Sequence, residues 1–208
     1  LDITIYKYHS LGRRCRGFLA NITMRFETLD MAQLSAEQQI LVDQIAGGPR
    51  GAIRGPFLAL LHHPKLASRV QAVGEHLRYN ASVEQELVEL VILVTARRWN
   101  AQYEWFAHSR IAHTSTSLSH EAIEDVRNRR RPTAATERQL LAYDMAVALH
   151  GDGQLSDDMF ATCQAAFGVE GFLDLVCTCG YYTTIALVLN VAQMELPTDA
   201  PAQYLLDR

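Results

Sequence analysis

Nowhere in this sequence do two cysteines stand three residues apart, and only four are present, Cys15, Cys163, Cys177 and Cys179. That spacing excludes a Cys-x-x-Cys redox pair, a cysteine zinc site and a disulfide framework. Cys177 and Cys179 lie in an apolar stretch and point apart on a helix, so they read as small core residues. Excess positive charge is also missing: the formal net charge is −4, and no global attraction to nucleic acid is expected. No apolar run is long enough to span a bilayer. The nearest, Ile185 to Val191, is short and carries Asn190, with Glu195 beyond it. No segment alternates with period two, and Asp152-Gly153 is the only hairpin-like dipeptide, set between helical patterns. The expected fold class is therefore all-α. His-Glu-x-x-His is absent, and His108 and His113 are five apart, a poor helical spacing for one metal, so no metal ligands are assigned.

Residues 1–23 carry Lys7, Arg13, Arg14 and Arg16 against Asp2 alone, without the apolar core of a signal peptide. They read as an extension outside the fold, with a single domain over residues 24–208. A cytoplasmic location without membrane attachment is the matching expectation.

Helix punctuation is plentiful. Ser35-x-x-Gln38 is a capping box opening a helix that stops near Gly47-Gly48. A glycine- and proline-bearing loop follows to Pro56; its Arg50 and Arg54 are weaker candidates to face a ligand. Pro56 and Pro64 suit first helical turns, giving helices to about His62 and to Tyr79. Ser82-x-x-Gln85 looks like a second capping box, before a helix over Val83 to Trp99. Asn100 is placed as the cap of the next helix, to about Thr114, and Ser119, Thr133 and Ser156 open three more. Gly151 and Gly168 read as stops, and a last helix runs from about Val169 to Met194. The arginine run Arg127 to Arg131 reads as a solvated loop.

Three residues stand out chemically. Glu89 sits in Leu87–Val94, a stretch apolar on nearly every face, where a carboxylate is costly unless paired, protonated or hydrogen-bonded. Burial would raise its pKa toward a range useful for proton transfer; a structural ion pair explains it equally well. Glu104 and His108 are four apart, so they share a helix face and can form an acid–base pair or an ordinary surface ion pair. Tyr103, Trp105 and Phe106 surround them.

The stretch from Glu89 to His108, with Ala-Arg-Arg-Trp-Asn-Ala-Gln-Tyr-Glu-Trp-Phe-Ala-His, resembles the core signature of the carboxymuconolactone decarboxylase family. That family shares a superfamily with the alkylhydroperoxidase D proteins, and the resemblance extends from about Ser35 to Pro197. It implies a compact multi-helix fold and a homo-oligomer, a trimer or hexamer, with a dimer as the alternative. In the peroxidase branch a Glu, a Cys-x-x-Cys pair and a following His act together. Carried over, the Glu falls on Glu89 and the His on His108, while the cysteines fall on Ala101 and Glu104 and the His between them on Tyr103. The proton-handling positions are kept and both thiols are missing, which argues against thiol-based peroxide reduction.

The resemblance implies a carboxy-lyase of aromatic-compound catabolism, acting without a cofactor on a small carboxylate or lactone. His108 is expected to donate the proton, Glu104 to orient it, and Glu89 to serve as a second buried acid–base group. Arg97 is expected to bind the substrate carboxylate, with Tyr103 and Trp105 lining the site. The alternatives are a thiol-dependent peroxidase and a non-catalytic helical oligomer.

Overall fold

A computed structural model describes residues 24–198 and 200. The extension assigned to residues 1–23 lies outside them, as does Cys15. Among the described residues there are eight helices and no strand: α1 Ala36–Gly47, α2 Pro56–Leu60, α3 Pro64–Tyr79, α4 Gln85–Arg98, α5 Gln102–Ser115, α6 His120–Arg127, α7 Glu137–Gly151 and α8 Asp157–Ala192.

Helix α4 is the axis of the core. Every residue from Leu87 to Arg97 is buried, because α5, α6, α7 and α8 all pack against it. An almost uniformly apolar helix can only be stable when covered on all sides. Helix α1 packs on α3, and α2 and α3 close over α8. Helix α8 is long and apolar enough to cross a membrane by length and composition. Half of its most apolar window is nevertheless buried inside the fold, as in a core helix.

Local chemistry sets the helix ends. Ser35 and Gln38 form the expected capping box, and Ser119 and Ser156 cap α6 and α8. Helix α3 begins at Pro64 and ends at Tyr79, as its punctuation predicts. Gly168 interrupts α8 with φ 70°, a left-handed value that glycine adopts without a Cβ clash. The stop read at Gly168 is thus a kink, with helix on both sides.

Three caps differ from expectation. Ser82 does not cap α4: its N–H donates to Asp174 Oδ2 at 2.7 Å, and Glu84 is the N-cap. Asp174 also takes His76 Nε2 at 2.9 Å, so the α3–α4 connection is tied to α8 rather than to a helix end. The cap of α7 is Thr136, with Gln139 completing its box, not Thr133, whose N–H and hydroxyl both bond Asp125. Asn100 is not the N-cap of α5. It takes φ 52° and accepts from Arg97 Nη1 at 3.1 Å, and Ala101 is the cap. Cys163 and Cys179 are buried as expected, whereas Cys177 is exposed.

The left-handed Asn100 has the larger consequence. It reverses the chain within three residues, Trp99 to Ala101, and folds α5 back along α4. The corner is fastened to α8 by Asn190 Nδ2 on the Trp99 carbonyl at 2.9 Å and by Trp99 Nε1 on Thr183 Oγ1 at 3.1 Å. This hairpin brings Glu89 of α4 beside His108 of α5.

Candidate active site

Glu89 is fully buried, and both its oxygens are engaged. Oε1 accepts from Gln85 Nε2 at 2.9 Å, and Oε2 accepts from His108 Nδ1 at 2.7 Å. A buried carboxylate is tolerable when hydrogen-bonded in this way. The bond fixes the His108 tautomer: Nδ1 carries the hydrogen and Nε2 keeps a lone pair. The ring is held edge-on to Tyr182, centroids 5.0 Å apart. Burial lowers the His108 pKa, Glu89 works against this, and Arg78 and Arg50 add to it. The net effect is a neutral imidazole.

Glu104 is not the partner of His108, despite the spacing of four. It is buried, and neither Oε1 nor Oε2 has a hydrogen-bond partner among the described residues. Burial alone raises its pKa well above the ordinary carboxyl value, which favours the neutral acid. The carboxylate bonded to His108 is thus Glu89, nineteen residues earlier, and not Glu104 on the same helix.

Both Glu104 and His108 line a cavity of about 570 Å³ between α2, α3, α5 and α8. Four arginines reach its wall: Arg50, Arg54, Arg78 and Arg110. Arg50 donates through Nε to Gln71 Oε1, and Gln71 in turn donates to Glu75 Oε2 at 2.7 Å. Arg50 Nη2 and Arg78 Nε are buried without a partner. Arg50, Arg54 and Arg78 form no ion pair with a described residue. Buried polar groups are nearly always satisfied in native proteins. Unsatisfied guanidinium nitrogens and an unsatisfied carboxyl thus share one cavity.

Tyr103 lines the cavity, and burial raises its phenol pKa while Arg54 opposes the rise. Tyr181 and Tyr182 join it, with burial pushing Tyr181 up to about 12. Trp105 does not: it is 1 % exposed and packs into the core, because it lies on the face of α5 turned toward α4. Arg97 does not either. Near the end of α4 it donates through Nε to the Arg127 carbonyl at 2.6 Å, away from Glu104 and His108. Sequence reasoning missed Arg78 and Arg110 and ranked Arg50 and Arg54 low. Their only signal was position, Arg78 in the last turn of α3 and Arg110 two residues beyond His108 on α5.

Close packing sets one cavity wall. A Cβ on Gly74 would collide with the Tyr181 hydroxyl and lie 2.8 Å from Arg50 Nη2. Gly74→Ala is expected to displace Tyr181 and to cost about 1–3 kcal/mol, the usual penalty of overpacking. Urea denaturation checks this: the midpoint falls in Gly74→Ala and recovers when Tyr181→Leu is added. Failure to recover would place the strain elsewhere.

No protein-family model matches the chain, and no curated protein matches it in sequence. By shape it is similar to the alkylhydroperoxidase AhpD core of a peroxidase-related protein from Ralstonia eutropha JMP134. The TM-score is 0.71 at 17 % identity, covering 86 % of this chain and 95 % of that one. The all-helical architecture around α4 and α5 is thus the alkylhydroperoxidase D-like fold.

Proposed function

We propose that the chain is a cofactor-independent enzyme that decarboxylates a small carboxylated lactone or related unsaturated acid and protonates the resulting carbon. One observation supports this reading: Glu104, its pKa raised by burial and its carboxyl without a hydrogen-bond partner among the described residues, shares a cavity with the unsatisfied Arg50 Nη2 and Arg78 Nε.

Arg50 and Arg78 bind substrate carboxylate, since a guanidinium fork meets it bidentately. The bond from the ring carbon to the departing carboxylate breaks, CO₂ leaves, and the electron pair moves into the adjacent unsaturated carbonyl system. Glu104 delivers its proton to carbon, and water restores it. Proton transfer from a positioned acid contributes typically about 10²–10⁴-fold in rate. His108, oriented by its bond to Glu89 and with its pKa lowered by burial, presents Nε2 to the cavity as an acceptor that orients the substrate. The apolar wall of Phe57, Phe106 and Ile185 thins the water around the carboxylate. Less hydration raises the energy of a charge that decarboxylation removes.

The thiol-peroxidase alternative finds less support. No described cysteine lines the cavity, burial raises Cys163, and Cys179 is pushed up to about 12. A thiol in that state supplies little thiolate nucleophile.

The test is turnover of 4-carboxymuconolactone and related carboxylated lactones in heavy water, followed by CO₂ release and by deuterium at the former carboxyl carbon. Release with deuteration at that carbon is expected from the wild-type chain. No release from any member of the panel rejects the reading.

A further inference from the structure

Arg97 has its own cavity. A second hollow of about 320 Å³ lies at the junction of α4, α6 and α7, where Arg97, Arg98 and Arg129 meet Tyr143 and His150. The rest of its wall is apolar: Val94, Val126 and Val147. No aspartate or glutamate is among its lining residues.

Helix ends account for part of this charge. Three helix C-termini converge here, and cations there are favourable. Arg97 Nε serves the Arg127 carbonyl of α6, and Arg98 Nε reaches the His150 carbonyl of α7 at 3.3 Å. The remainder is unexplained by capping. Arg97 is only 5 % exposed, yet no carboxylate meets it; its other bond is to the amide oxygen of Asn100. Arg129 adds a third guanidinium, held at φ 57° with its side chain bonded to no described residue. A guanidinium this buried ordinarily has a carboxylate or phosphate beside it. With the exposed Arg98 and Arg129 beside it, the hollow has room and charge for an anion.

We infer that this hollow is a second ligand site, separate from the Glu104 cavity, that binds a small organic carboxylate through Arg97, Arg98 and Arg129 and buries its apolar body against Val94, Val126 and Val147. The carboxylate sits between the guanidinium groups, and the Tyr143 ring walls the body. The site stands independently of the decarboxylase reading, because none of its residues lines the Glu104 cavity.

Benzoate is the probe and benzyl alcohol its uncharged control. Methyl NMR of Val94, Val126 and Val147 in the full chain reads the site directly. Saturable shifts with benzoate, and none at matched benzyl alcohol concentrations, are expected. Arg129→Gln, which removes an exposed side chain with no structural bond, weakens that binding about tenfold, as loss of one charge-assisted contact does. Arg78→Gln, in the other cavity, leaves it unchanged. Equal shifts with benzyl alcohol, absence of shifts with benzoate, or unchanged affinity in Arg129→Gln would overturn the inference.

Discussion

Glu104→Gln sharply lowers turnover and, above the ordinary carboxyl range, makes the protein more stable. Burial raises the pKa of the Glu104 carboxyl well above the usual value, which favours the neutral acid in the fold. In the unfolded chain the same group ionises at about 4.3. As pH rises past that value the unfolded state loses a proton that the folded state keeps, so the wild-type protein loses stability. The loss runs at about 1.4 kcal/mol per pH unit until the folded pKa is reached. Glutamine has the same shape and no proton to lose. The melting temperatures of the two proteins therefore converge near pH 4, and the variant gains about 3–6 °C per pH unit above it, given about 2–4 °C per kcal/mol at this size. Turnover falls by about 10²–10⁴-fold at every pH, as when a general acid is removed. Thermal melts from pH 4 to pH 8 beside rate measurements check both halves. Parallel melting curves across that range would mean that Glu104 ionises normally in the fold.

The second large effect concerns the Glu89–His108 bond. His108→Ala leaves a fully buried carboxylate with Gln85 as its one remaining partner. Breaking a buried pair from one side costs about 3–5 kcal/mol, or roughly 10 °C in melting temperature. Replacing both residues, Glu89→Leu with His108→Leu, removes the stranded charge and recovers most of that stability, because well-packed apolar substitutes often match buried pairs. Neither protein turns over substrate. Acid acts on the same bond. Burial lowers the His108 pKa, so below about pH 6.5 the unfolded chain takes up a proton that the folded chain resists, and stability falls as pH falls toward the folded value. A double-mutant cycle read by denaturation distinguishes the outcomes: simple additivity of the two substitutions would contradict the pairing.

Much of the fold was legible because it is written in local chemistry. Proline at the start and a polar residue at the end mark α3, Ser35 and Gln38 mark α1, and Gly168 marks the break in α8. Glu89, Glu104 and His108 were also legible, since a carboxylate in an apolar run is conspicuous in sequence. Their roles were not. The rule for residues four apart describes neighbours along one helix, and it paired Glu104 with His108. The pairing that forms spans nineteen residues and depends on Asn100 adopting a left-handed turn, which reads in sequence as a cap. Ser82 shows the same limit from another side: its capping pattern is real, but Asp174 of α8, ninety-two residues away, takes its N–H instead. Arg50 and Arg78 come from a loop and a helix end far from α5. Only tertiary packing brings them to the cavity, just as it carries Arg97 away from it.

The protonation of Glu104 is the claim on which the rest depends. An infrared difference spectrum between the wild-type protein and Glu104→Gln at pH 7 measures it without assuming a substrate. The account predicts that the wild-type protein carries the carbonyl stretch of a neutral carboxylic acid, absent from the variant and persisting as the pH is raised from 5 to 7. A difference spectrum showing only carboxylate bands at pH 7 would contradict it, and would leave the cavity without its proton donor.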